Sequence, residues 1–76
     1  MSKTIQELFP EIEILDTEPV EVANPYTGKT VTLTPEEVAV YDVIRESKIL
    51  GVWEDVRKGL DWFIDNNAKA YIALLD

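Results

Sequence analysis

Residues 31–37, VTLTPEE, contain the change from strand to helix on which the predicted fold depends. Val31 and Leu33 alternate with polar residues, which is typical of a half-buried strand. Thr34 then predicts an N-cap, with Pro35 at the first helical position and Glu37 at the third. Each of these residues satisfies or avoids an unpaired backbone amide, so we expect a helix to begin at Pro35.

The residues upstream of this stretch predict a β-hairpin. Residues 20–22 (VEV) alternate in the same way. Residues 24–28 (NPYTG) supply the turn, because Asn before Pro opens a turn and Gly accepts a positive φ. If Val22 pairs with Val31, the apolar side chains of both strands share one face of the hairpin. We expect that face to be packed and the opposite face to be exposed.

The N-terminal segment predicts a short helix followed by an extended arm. Residues 4–7 (TIQE) fit the capping-box pattern, and Pro10 ends the helical turn. Residues 12–14 (IEI) alternate apolar and acidic side chains and are the candidate for a third strand. A two-stranded hairpin alone is marginally stable, so either this third strand joins it or the helices cover its apolar face.

Two or three helices are predicted after residue 34. The first runs from Pro35 to a left-handed end at Gly51, and the second runs from about Val52 to Ile64. A short last helix follows the break at residues 66–67. The expected apolar faces are, in chain order, Val38, Val40, Tyr41, Val43, Ile44 and Leu50; Val52, Val56, Leu60, Phe63 and Ile64; and Ala68, Tyr71, Ile72 and Leu75.

These elements predict one small α+β domain over residues 1–76, with a hairpin of two or three strands packed against the helices. A chain of 76 residues has room for a single core. We divide it into an acidic N-terminal arm (1–19), a β-hairpin (20–33) and a helical part (34–76).

Charge is the strongest indication of function. The chain has 15 Asp and Glu against 7 Lys and Arg, a formal net charge of −8, and it lacks both His and Cys. The usual general base, thiol nucleophile and transition-metal ligands are therefore missing, and an acidic surface repels phosphate backbones and anionic lipid. We expect no enzyme activity, no cofactor, no metal site, and no direct binding to nucleic acid or membrane.

The expected location is the cytoplasm, because the N-terminus lacks the apolar stretch of a signal peptide and a chain without Cys suits a reducing compartment.

Three patterns that resemble chemical motifs have structural explanations. Residues 23–30 (ANPYTGKT) match a relaxed phosphate-binding loop, but the proline lacks an amide and the following residues continue as a strand. The acidic pairs at residues 36–37 and 54–55 lie in first helical turns, where acids are stabilised. Asp61 and Asp65 lack the loop that wraps a calcium ion.

The acidic arm supplies most of the candidate binding residues. In an extended chain its acids lie about 7 to 10 Å apart. That spacing is comparable with every second or third phosphate of a nucleic-acid strand, so mimicry of nucleic acid is one interpretation and a solvated face without a partner is another. An aromatic side chain beside the acids would anchor a partner if it is exposed. The candidate partner-binding residues are Glu11, Glu13, Asp16, Glu18, Glu21, Tyr26, Trp53 and Trp62.

Four stretches carry a resemblance to a known group of proteins, namely residues 24–29 (NPYTGK), 31–36 (VTLTPE), 41–42 (YD) and 57–63 (RKGLDWF). Over roughly residues 20–76, the chain resembles short uncharacterised proteins encoded by tailed bacteriophages. The resemblance implies a phage accessory protein that acts in the host bacterial cytoplasm, and it supplies no catalytic residues.

Two functional hypotheses follow. In the first, the protein is an acidic binding module that inhibits or modulates a host protein through its basic surface, for example RNA polymerase, a nuclease or a defence factor. In the second, it is a self-associating structural domain or a small subunit of a phage assembly. A small enzyme that uses carboxylates alone ranks third.

Overall fold

The computed structural model describes residues 4–75, so residues 1–3 and Asp76 of the predicted domain lie outside the described residues. In chain order it contains α1 (Ile5–Leu8), β1 (Val20–Ala23), β2 (Thr30–Leu33), α2 (Pro35–Leu50), α3 (Trp53–Asn66) and α4 (Ala68–Leu74). β1 and β2 form an antiparallel hairpin. The predicted small α+β domain is confirmed.

The hairpin has the predicted register. Val22 pairs with Val31, and Val20 pairs with Leu33. Leu33 is buried and the three valines are half-buried, whereas the residues between them are exposed. Gly28 takes a positive φ of 77° and its amide donates to the Asn24 carbonyl over 2.9 Å. The phosphate-loop pattern is therefore a hairpin turn, as its proline and the strand after it predict.

The third strand proposed for residues 12–14 is wrong. Over residues 4–75 the sheet consists of β1 and β2 alone. Ile12 packs against the core, but Ile14 is 39% exposed, so the alternation does not mark two sides of a strand. The arm lies over α2 and α3 rather than beside the hairpin. Helices α2 and α4 cover the hairpin instead.

The ends of α2 lie where the sequence predicts them. The Glu37 amide donates to Thr34 Oγ1 over 3.3 Å, and the Thr34 amide donates to Glu37 Oε1 over 2.8 Å, which completes a capping box. At the other end, Gly51 has the left-handed φ of 76° that stops the helix. Both signals act within one helical turn, so the sequence alone predicts them.

The buried faces of α3 and α4 differ from the predicted ones. On α3, Val52 and Ile64 are 42% and 45% exposed, whereas Gly59 and Trp62 are buried. The reason is that α3 turns Gly59 toward α2, which brings the two helices close together. On α4, Ala68 and Ile72 are exposed, whereas Ala70 and Leu74, which are not among the predicted apolar residues, are buried. Leu50, at the end of α2, is also exposed.

Two polar side chains, half-buried Asn67 and buried Asn24, connect distant parts of the chain. Asn67 Oδ1 accepts from the Ala70 amide over 3.1 Å and so caps α4, while its Nδ2 donates to Glu37 Oε2 over 2.9 Å. Asn24 Nδ2 donates to the Ala73 carbonyl over 2.9 Å. These bonds hold α4 against the start of α2 and against the hairpin turn.

Candidate acidic binding surface

The acidic arm is anchored at both ends. At its beginning, Thr4 caps α1, and Ile5 and Phe9 are 1% and 8% exposed within the core. At its end, the chain enters β1 at Val20. Between these points, residues 9–19 form neither helix nor strand, and the arm's acids are exposed. The arm is an extended segment whose few apolar side chains attach it to the domain.

The arm runs beside α2, and this placement assembles a cleft. The cleft has a volume of about 300 Å³ and lies between residues 11–15 of the arm and the exposed side of α2. Leu15, which is 82% exposed, contributes an apolar side chain to it. We name it the acidic cleft, because the charged residues that line it are Glu11, Glu13, Asp42 and Glu46.

The acidic cleft concentrates negative charge, since the residues that line it include no Lys or Arg. The pKa of Asp42 is raised above its ordinary value of 3.8, first because partial burial removes water from the carboxyl group. The Glu46 carboxylate one turn away and Asp16 of the arm raise it further, and Arg45 offsets only part of the effect. The charged form of Asp42 is therefore held there at a cost in electrostatic free energy.

The structure brings together three of the five predicted arm acids. Glu11 and Glu13 line the acidic cleft, and Asp16 lies close enough to act on Asp42. Glu18 and Glu21 are exposed but do not line it, because the chain has by then turned toward the hairpin.

The prediction that Trp62 anchors a partner is wrong. Trp62 is 7% exposed, and its ring stands edge-on to Phe63 with 5.4 Å between centroids. It is buried because the packed face of α3 is broad and extends beyond the stripe that the apolar spacing indicates.

The other two candidate aromatics are exposed but lie away from the acidic cleft. Tyr26 is 95% exposed and lines a separate cleft with Arg45 and Lys48. Trp53 is 66% exposed and lines a third cleft, between α3 and α4. The most exposed apolar side chain that lines the acidic cleft is therefore Leu15 rather than an aromatic residue.

Sequence reasoning missed Asp42, Glu46 and Leu15 as members of the site. The available signal was the spacing of Asp42 and Glu46, which places two acids on one exposed side of α2. The spacing gives no information about the path of the arm, and it is this path that brings Glu11 and Glu13 beside that side of α2.

Two further properties bear on the kind of site present. Over residues 4–75, no three acidic side chains are grouped so that they could hold a metal ion. In the same part of the chain, none of the helices combines the length and the apolar character that crossing a membrane requires.

Comparison of the chain with protein-family models, with curated proteins and with solved structures gives no match, so the resemblance to phage accessory proteins stays a prediction.

Proposed function

We propose that the protein is a non-enzymatic binding module that presents its acidic cleft to a basic surface of a host protein and blocks that surface. The observation that carries the proposal is that Glu11, Glu13, Asp42 and Glu46 line one cleft together with the exposed side chain of Leu15. Negative charge around an apolar contact is the complement of a surface on which Lys and Arg surround an apolar depression.

The electrostatic cost of the acidic cleft supports a role beyond solubility. Solubility requires net charge, and acids spread over the surface supply it without mutual repulsion. Here partial burial, Glu46 and Asp16 oppose the charged form of Asp42, and Arg45 offsets part of their effect. Unfavourable interactions of this kind in the free protein are expected at functional sites, because the positive charge of a bound partner compensates for them.

The expected binding mode has two parts. Complementary charge accelerates association and makes it sensitive to salt, because exposed charges are screened beyond a Debye length of about 8 Å at physiological ionic strength. Burial of Leu15, together with half-buried Ile12, lengthens the lifetime of the complex. A partner groove that binds nucleic acid has the required positive charge. The resemblance to phage proteins supports a host protein as the partner that carries this groove.

The test is capture from a bacterial lysate with three forms of the immobilised protein. The first is wild type, and the second is the triple variant E13Q/D42N/E46Q, which removes three charges from the acidic cleft. The third is the control E36Q/E54Q/D65N, which removes three charges from exposed sites outside it. Both variants have the same net charge, so they differ only in where the charge is lost.

The proposal predicts a basic protein that wild type and control retain and that the cleft variant loses. Raising the salt concentration from about 0.1 M to about 0.5 M should release it. Equal capture by the two variants would refute the role of the acidic cleft, and so would the absence of any basic protein captured by wild type. Circular dichroism of each bait establishes that it is folded.

A further inference from the structure

A second surface, formed by α3 and α4, has a different chemistry from the acidic cleft. Trp53, Leu60 and Ile64 of α3 and Tyr71 of α4 line a groove of about 380 Å³. Trp53 is 66% exposed and Ile64 is 45% exposed, so large apolar side chains face water here. We call this surface the α3 groove; its remaining lining residues are Val56, Arg57 and Asp61.

The α3 groove lies away from the acidic cleft. At about 100° per residue, Leu60 and Ile64 project within about 20° of the direction of Trp53. Asp55 and Lys58, which line a separate cleft together with residues 8–12 of the arm, project about 140° to 160° from that direction. The arm and the α3 groove therefore lie on opposite sides of α3, and one can be occupied while the other is free.

The charges of the α3 groove point to its occupant. Arg57 and Asp61 are the charged residues that line it, and their charges cancel on a chain whose net charge is −8. Within residues 4–75, neither Arg57 nor Asp61 forms a salt bridge. The salt bridge in this part of the chain joins Lys58 to Glu54 over 3.6 Å. A second copy of this acidic chain can approach here without local repulsion.

Two copies of the α3 groove are complementary to each other under a two-fold axis. Arg57 and Asp61 lie one turn apart, about 6 Å along α3, with Gly59 midway between them. If two α3 helices pack antiparallel at the level of Gly59, each Arg57 faces Asp61 of the other copy. Trp53 and Ile64 lie about 9 Å and 7.5 Å on either side of that level, so the same rotation brings each Trp53 to Ile64 of the other copy.

We propose that the α3 groove is the interface of a symmetric homodimer, in which α3 packs antiparallel on its copy. Trp53 inserts beside Ile64 of the second copy, Leu60 contacts its own counterpart near the axis, and Arg57 pairs twice with Asp61. Such an interface is isologous and closes on itself, so it produces a dimer rather than a filament.

The test is the mass of the full chain in solution, measured by sedimentation equilibrium. We expect a wild-type dimer that persists at about 0.5 M salt, because apolar burial supplies most of the association. Trp53→Ala should weaken the dimer roughly a hundredfold, because it removes the largest apolar side chain of the interface from both copies at once. Ile49→Ala is the matched control, because Ile49 is also exposed but lies outside the α3 groove and should leave the mass unchanged.

Charge reversal gives a sharper test of the antiparallel geometry. Arg57→Asp and Asp61→Arg should each weaken self-association roughly tenfold or more, since either change sets like charges opposite one another twice. A 1:1 mixture of the two variants should restore a dimer, because every reversed side chain then meets its opposite.

Each remaining outcome would overturn the proposal. Wild-type protein that stays monomeric to about 1 mM would do so, because a dimer that weak lacks a packed interface. A dimer that Trp53→Ala leaves intact, or a mixture of charge variants that stays monomeric, would exclude this surface or this symmetry. The variant E13Q/D42N/E46Q should still dimerise, so failure of the acidic cleft and failure of the α3 groove are distinguishable.

Discussion

Substitution of Gly59 by Ala tests how closely α2 and α3 pack. Gly59 is buried in the middle of α3, where a glycine ordinarily weakens a helix. Replacing it with Ala gains about 1 kcal/mol of helix propensity. On the sequence alone, G59A would therefore be expected to stabilise the protein.

The contacts of Gly59 reverse that expectation. A Cβ atom at this position would overlap Ile44 Cγ1 and lie 2.9 Å from Ile44 Cδ1, with Val40 Cγ1 at 3.6 Å. Ile44 is itself fully buried, and the overlap involves the stem of its side chain, so rotation of the terminal methyl group does not relieve it. Overpacking of this kind costs about 1–3 kcal/mol. We take the upper end, about 3 kcal/mol, which leaves a net loss of about 2 kcal/mol.

Urea unfolding followed by tryptophan fluorescence measures this loss, since Trp62 is buried in the folded state. A loss of about 2 kcal/mol should also lower Tm by roughly 10 °C in a domain of this size. In a double-mutant cycle, Ile44→Ala removes the obstructing atoms, so the overpacking cost of about 3 kcal/mol should disappear and G59A should stabilise that background by the helix-propensity gain of about 1 kcal/mol. A G59A protein more stable than wild type would refute the close packing.

The remaining predictions concern three polar residues. Asn67→Ala removes the α4 cap and the hydrogen bond to buried Glu37, so it should lower the free energy of unfolding, measured in urea, by about 2–3 kcal/mol. The control Asn66→Ala loses one local hydrogen bond, to the Trp62 carbonyl, and should lower that free energy by less. Asn24→Asp keeps the acceptor for the Tyr26 amide but loses the donor to the Ala73 carbonyl, so it should lower Tm and speed hydrogen exchange in α4; an unchanged Tm would contradict the tie between hairpin and α4. The pKa of Asp42 is raised in the folded protein, so the folded state holds its proton more tightly and stability falls as pH rises through 3.8. Asp42→Asn should therefore raise the urea midpoint near about pH 7 and change it little near about pH 3; a lower midpoint at pH 7 would show that the Asp42 carboxylate stabilises the fold.

The last of these predictions separates stability from function. Asp42→Asn is expected to stabilise the domain and at the same time to weaken the binding proposed for the acidic cleft. An acid that serves only solubility would show the first effect without the second. Measuring both on the same variant tests whether the repulsion around Asp42 is retained for a partner.

The candidate site was predictable in its chemistry and only partly in its membership. The acids of the arm are evident in the sequence because net charge and exposure follow from composition. Asp42 and Glu46 were not, because their proximity to the arm depends on which face of the domain the arm crosses. Trp62 was misplaced for a related reason, since adjacent residues of a helix differ by about 100° and the boundary of the buried face is set by the neighbouring helix.

The sequence by itself determined the elements of this protein whose causes are local. These elements are the Thr34 capping box, the left-handed glycines of the hairpin turn (Gly28) and of the end of α2 (Gly51), and the hairpin register. Each depends on residues only a few positions apart, so the local sequence is enough to specify it. Tertiary structure alone decided that the arm lies on α2 instead of joining the sheet, that Gly59 faces Ile44, and that Trp53 is exposed while Trp62 is buried. These outcomes depend on the shapes of surfaces far apart in the chain, and a repeating apolar pattern specifies that a face is buried without specifying what covers it.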